Sequence, residues 1–119
     1  MLDAEQVRQF ADHWIRAWNS HDLDLILSHY SPDVVLISPV AAQLLNDPSG
    51  IVAGREALSA YFKRGLEAYP DLTFTLHDVL CGLDTVVCYY TNHKGTKTAE
   101  VMQLGPDHKV VRVLANYSV

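Results

Sequence analysis

Apolar residues recur along this chain with a helical period in its first half and an extended one after about residue 70. Val7, Phe10, Ala11, Trp14, Ile15 and Trp18 fall on one helical face. Asp3 precedes them as an N-cap, and Gln6, three residues on, completes a capping box. The polar run Asn19-Ser20-His21-Asp22 ends that face and offers a second cap. Leu23, Ile26, Leu27 and Tyr30 then make a shorter stripe that stops before Ser31-Pro32. Asp33 to Ser38 is rich in β-branched residues and halts at Pro39, as a first strand would. The stretch 39–54 is the least regular, with one helical turn expected over Ala41 to Leu45 and a short strand over Ile51 to Ala53. From Arg55 the helical period returns through Ala57, Leu58, Tyr61, Phe62, Leu66 and Tyr69, and Pro70 closes it.

The remainder alternates with period two. Leu72, Phe74 and Leu76 interleave with Thr73, Thr75 and His77, and Gly82-Leu83-Asp84 turns the chain into a long hairpin, Thr85 to Leu104. With Lys94-Gly95 as a two-residue turn, Thr91 faces Thr98, Tyr89 faces Glu100 and Val87 faces Met102. That register sets Glu100 in an otherwise apolar patch of Val87, Tyr89 and Met102. Gly105-Pro106-Asp107 turns again into Lys109 to Tyr117. There Val111, Val113, Ala115 and Tyr117 make one row, while Val110 and Leu114 place apolar bulk on the other face.

Length and charge narrow the possibilities. A chain of 119 residues, 49% hydrophobic, suits a single domain over residues 1–119 with a real core. A formal net charge of -5 without any Lys/Arg cluster argues against nucleic acid. No apolar run approaches the roughly 20 residues of a membrane span, and no signal-peptide pattern opens the chain, so a soluble, cytoplasmic protein is expected. Cys81 and Cys88 read as buried thiols. His13, His21, His29, His77 and His108 lack metal-ligand spacing, so no metal and no cofactor are expected.

Two helices, a strand, a helix and four antiparallel strands define an α+β fold: a cone-like, curved antiparallel sheet covered on one face by about three helices and enclosing a cavity. Several stretches carry a resemblance to a known group. They are Ala17 to Asp24 after the first helix, Ser31-Pro32-Asp33-Val34, Gly54-Arg55-Glu56-Ala57-Leu58, and His108-Lys109-Val110-Val111. In these the chain resembles the nuclear transport factor 2-like superfamily, which includes ketosteroid isomerase and the SnoaL-like polyketide cyclases. The resemblance implies a cavity for a small, largely apolar molecule. It places Glu100 where the isomerase has the protonated Asp of its oxyanion hole, Trp14 where it has a Tyr, and Ser38 where it has its catalytic base. Thr98 stands where the epoxide hydrolases of the superfamily carry an Arg.

Glu100 and Tyr89 are thus the candidate catalytic residues, and Trp14, Trp18, Ser38, Tyr61, Val87, Met102, Val113 and Tyr117 the candidate ligand-binding ones. A carboxyl in apolar surroundings is costly to ionise, so Glu100 should titrate high and serve as a neutral donor or as a base near neutral pH. Two classes stay open: a cofactor-independent isomerase, cyclase or dehydratase working by proton transfer at Glu100, and a non-catalytic ligand-binding or dimeric association domain. A sheet apolar on both faces needs a second cover, so a homodimer through its outer face is expected.

Overall fold

The computed structural model describes residues 2–119 and contains four helices, α1 (Ala4–Ser20), α2 (Leu23–Leu27), α3 (Pro39–Leu44) and α4 (Arg55–Ala68), with six strands. The strands are β1 (Tyr30–Ile37), β2 (Ile51–Ala53), β3 (Thr75–Cys81), β4 (Thr85–Thr91), β5 (Lys97–Leu104) and β6 (Val110–Tyr117). They form one sheet in the order β2-β1-β6-β5-β4-β3. All neighbours run antiparallel except β1 and β6, which are parallel. The helices close over one face of this curved sheet, giving the α+β arrangement expected from the order of elements.

Local chemistry sets the helix ends. The Asp3–Gln6 capping box forms, and α1 buries Val7, Ala11, Trp14, Ile15, Ala17 and Trp18. His21 ends it in the left-handed region (φ 63°), and Asp22 caps α2 through the Leu25 amide. Ser38 belongs to the next helix rather than to the first strand, because its hydroxyl accepts from the Val40 amide and caps α3. Gly50, at φ 63°, lies where a Cβ would sit 2.5 Å from the Ser38 carbonyl oxygen, so this crossing of two backbones needs glycine.

Other expectations are corrected as well. The first strand begins at Tyr30, which the helical stripe had claimed, and a register shift between Tyr30 and Val35 absorbs Pro32. The strand after Pro70 begins at Thr75, because Asn19 takes both backbone groups of Phe74: its amide nitrogen donates to the Phe74 carbonyl at 3.0 Å and its oxygen accepts from the Phe74 amide at 2.8 Å. In β6 the deeply buried residue is Val110, with Val111 half-buried, since the pairing with β5 slips between Gln103 and Leu104. Cys81, at the end of edge strand β3, is exposed; only Cys88 is buried.

The largest correction concerns the hairpin. Cys88, not Tyr89, faces Glu100, and Val86, not Val87, faces Met102. Asn92 pairs with Thr96 around a three-residue loop in which Gly95 has φ 80°. The Asn92 side-chain oxygen accepts from the Lys94 amide (3.0 Å), the Thr96 amide (3.2 Å) and the Thr96 hydroxyl (3.1 Å), which locks the longer loop. One extra loop residue moves every β4 side chain to the opposite face relative to β5.

Candidate functional site

The inner face of the hairpin carries Val86, Cys88 and Tyr90 on β4 and Thr98, Glu100 and Met102 on β5. Against it lie α1, α4 and the Leu72–Phe74 segment, with an aromatic cluster between. Phe74 stacks on Trp14 with centroids 6.4 Å apart and meets Tyr90 at 4.5 Å, and Trp18 meets Phe62 edge-on at 4.6 Å. One end of this layer is solid. The other opens into a cavity of about 570 Å³, the size of a site for a drug-sized molecule.

Glu100 lies at the polar end of that cavity. The Tyr90 hydroxyl donates to its Oε1 at 2.9 Å. Glu100 is half-buried, and desolvation raises its carboxyl pKa above the ordinary 4.5 to about 7, although the Tyr90 hydrogen bond pulls the other way. Tyr30, Tyr61 and Tyr117 also line the cavity. All four phenols are held above their ordinary range, first by burial and then by the nearby Glu100 charge, so near neutral pH they are hydrogen-bond donors, not phenolates. The Ser38 side chain tempers the rise at Tyr61 and Tyr117. Cys88, directly opposite Glu100, is pushed up to about 12 by burial and then by the Glu100 charge, which keeps it a thiol.

Of the residues singled out from sequence, Glu100, Trp18, Ser38, Tyr61 and Tyr117 line the cavity. Tyr89 and Val87 do not, because the hairpin register turns them to the outer face. Met102 and Val113 share the inner face but are wholly packed, and Trp14 is likewise buried outside the lining. The Trp14 indole donates to the Tyr30 hydroxyl at 3.0 Å, so it presents a tyrosine to the cavity instead of reaching it. The Trp18 indole N–H is buried with no hydrogen-bond partner among the described residues. Tyr30 and Tyr90 are the site residues that sequence reasoning missed. Asn92, whose side chain can stabilise a longer loop, was the local signal for Tyr90.

Among the described residues no cluster of His, Cys, Asp or Glu could hold a metal ion, and no helix is long and apolar enough to cross a membrane. The carboxyl, poised near neutrality beside a phenol, can donate a hydrogen bond or proton when neutral and accept a proton when ionised.

The SnoaL-like domain family matches residues 11–116, and the chain belongs to that family and so to the nuclear transport factor 2-like superfamily. A SnoaL-like protein of unknown function from Burkholderia thailandensis is 41% identical over 98% of both chains, with a TM-score of 0.96. AclR from Streptomyces galilaeus, provisionally named a hydroxylase, shares 22% identity over 98% of this chain and 77% of its own (TM-score 0.76). A Kribbella flavida protein provisionally named a ketosteroid isomerase shares 18% over 97% of this chain and 79% of its own (TM-score 0.75). These last two likenesses concern the fold alone. A comparison with curated protein sequences finds no match.

Proposed function

We propose that this protein binds a small, largely apolar molecule in the cavity between helices and sheet, and that Glu100 performs proton transfer on it in the manner of an isomerase, cyclase or dehydratase. The observation that carries the reading is a single carboxyl at the desolvated end of an aromatic-walled cavity, hydrogen-bonded by Tyr90 and titrating at about 7. A base of that pKa is half ionised at neutral pH, so one group can remove a proton from carbon next to a carbonyl and return it elsewhere. Tyr30, whose hydroxyl accepts from Trp14 and keeps its own proton free, is the donor placed to hold the substrate oxygen, while Tyr90 donates to Glu100. Neither a metal nor a cofactor enters this reading.

The second reading is a non-catalytic binding protein, favoured by Ser38. It stands at the position of the isomerase's base, and its hydroxyl is already engaged as the α3 cap. One experiment separates the two. Incubation with small cyclic β,γ-unsaturated ketones in deuterated water should give deuterium incorporation next to the carbonyl, lowered at least about 100-fold by Glu100→Gln. Binding without exchange in either protein would support the non-catalytic reading, and undiminished exchange in the variant would remove Glu100 from the chemistry.

The outer face supports a homodimer. Ile51, Ile37, Leu114, Val101, Val87 and Leu80 are successive cross-strand partners, an unbroken apolar row over all six strands. A second copy of the same surface would cover it. Sedimentation at micromolar protein should show a dimer that Val101→Lys converts to a monomer; a wild-type monomer at every concentration would refute the assembly. The cysteines, one buried and one exposed and both unbridged, suit a reducing compartment such as the cytoplasm.

A further inference from the structure

The cavity has a second polar end. Its exposed lining residues mark the mouth, and they include Gln43 and Leu44 of α3, Arg64 near the end of α4 with Tyr69 just beyond it, and His93 and Lys94 at the tip of the hairpin. Tyr69 and His93 pack with ring centroids 4.1 Å apart, and the Lys94 ammonium lies 5.7 Å from the Tyr69 ring. This contact brings helix and hairpin, and with them two cationic side chains, to one rim. Neither Arg64 nor Lys94 has an ion-pair partner among the described residues, where the two ion pairs join Arg16 to Asp12 and Lys63 to Glu67. The acid among the lining residues is Glu100, at the other polar end and half neutral near pH 7. A chain of net charge -5 therefore concentrates positive charge at the mouth of its cavity.

The carbonyls at the C-terminal end of α4 oppose an anion there with about half an elementary charge. Two full cationic charges outweigh that. His93 adds none near neutral pH, since burial and then the Lys94 charge lower its pKa from 6.5. The cavity between the ends is apolar and aromatic, and the far end offers a neutral or half-neutral carboxyl with phenol donors, which suits an uncharged oxygen and repels a second anion.

Resting on the cavity reading above, we infer that the ligand is an amphipathic carboxylate: an apolar body with a carbonyl or hydroxyl at the Glu100 end and a carboxylate at the mouth, held by Arg64 and Lys94. The free carboxylate stays partly in water, so each contact contributes as an exposed ion pair does and salt weakens it. Specificity for the charged end then comes from the rim, independently of any chemistry at Glu100.

The test uses N-phenylnaphthylamine, a neutral fluorescent reporter, displaced by 9-oxodecanoate or by its methyl ester. In the unmodified protein the acid should displace the reporter at lower concentration than the ester. The Arg64→Gln/Lys94→Gln double variant should weaken the acid about 5- to 30-fold, as expected for two exposed charge contacts, and leave the ester within about twofold. Added salt should weaken the acid alone. Equal potency of acid and ester, a weaker acid, or a bound reporter that neither displaces would overturn the amphipathic carboxylate while leaving the cavity reading standing. Failure of the reporter and both ligands to bind would overturn both. The two substituted side chains are exposed, so unchanged circular dichroism is expected and confirms that the variant is folded.

Discussion

The two faces of the β4–β5 hairpin are built from similar residues and end in different physical states. On one face Cys88, Tyr90 and Met102 are buried beneath the helices and Phe74, and half-buried Glu100 lines the cavity beside them. On the other Val87, Ala99 and Val101 are half-buried, and Tyr89 is 37% exposed with no helix above it. A tyrosine hydroxyl on the closed face is a donor to a carboxyl that titrates near 7; one residue away it is a surface group. Residue type does not make a site here. Enclosure does, because removing water raises the cost of ionising the acid and strengthens the hydrogen bond that remains.

Substitutions can break this comparison, and the largest effect should come from the closed face. Trp14→Ala removes a fully buried indole and the donor to Tyr30, and should cost about 3–5 kcal/mol in denaturant unfolding. Leu80→Ala on the open face of the isolated protomer should cost under about 1 kcal/mol. Comparable losses at the two positions would mean that the open face is covered in solution.

Ionisation of Glu100 should have the next largest effect. Its folded pKa lies above the unfolded one, so between about pH 4.5 and 7 the folded state holds a proton that the unfolded state has released. Stability from this group is full below that window and falls by about 3 kcal/mol as pH rises through it. Glu100→Gln removes the proton exchange. The variant should therefore gain about 3 kcal/mol on the unmodified protein between pH 4 and pH 8, read from paired denaturant curves. A difference independent of pH would show that Glu100 is hydrated in the folded state.

The smallest and most local test sets neighbouring tyrosines against each other. Tyr90→Phe deletes the hydrogen bond that favours the charged carboxylate, so the Glu100 pKa should rise by roughly half to one unit, followed by carbon-detected NMR titration. Tyr89→Phe should leave it unmoved. The reverse result would restore the two-residue turn and its register.

Much of the fold was legible because its signals are local. The Asp3–Gln6 box, the Val7-to-Trp18 face, the cap at Asp22, and the stop at Pro70 all act within a few residues. The alternation after residue 70 announced a sheet for the same reason. Glu100 was legible as an isolated acid in an apolar strand, and the family match agrees with the motifs that suggested a SnoaL-like chain.

Long-range contacts decided the rest. The run Thr85-Val-Val-Cys-Tyr-Tyr-Thr91 is apolar on both faces, so burial could not say which tyrosine turns inward, and Lys94-Gly95 is compatible with a two- or a three-residue loop. The Asn92 side chain selects the longer loop, and Phe74, Trp14 and Trp18 cover the face that results. Tyr30 enters the site because β1 pairs with β6, a partner 80 residues away at Val110, which no local period encodes. By itself the sequence determined an α+β cone and singled out one acid among apolar strand neighbours. Only tertiary packing, through loop register and the choice of covered face, decided that Tyr90 and Tyr30 are its companions.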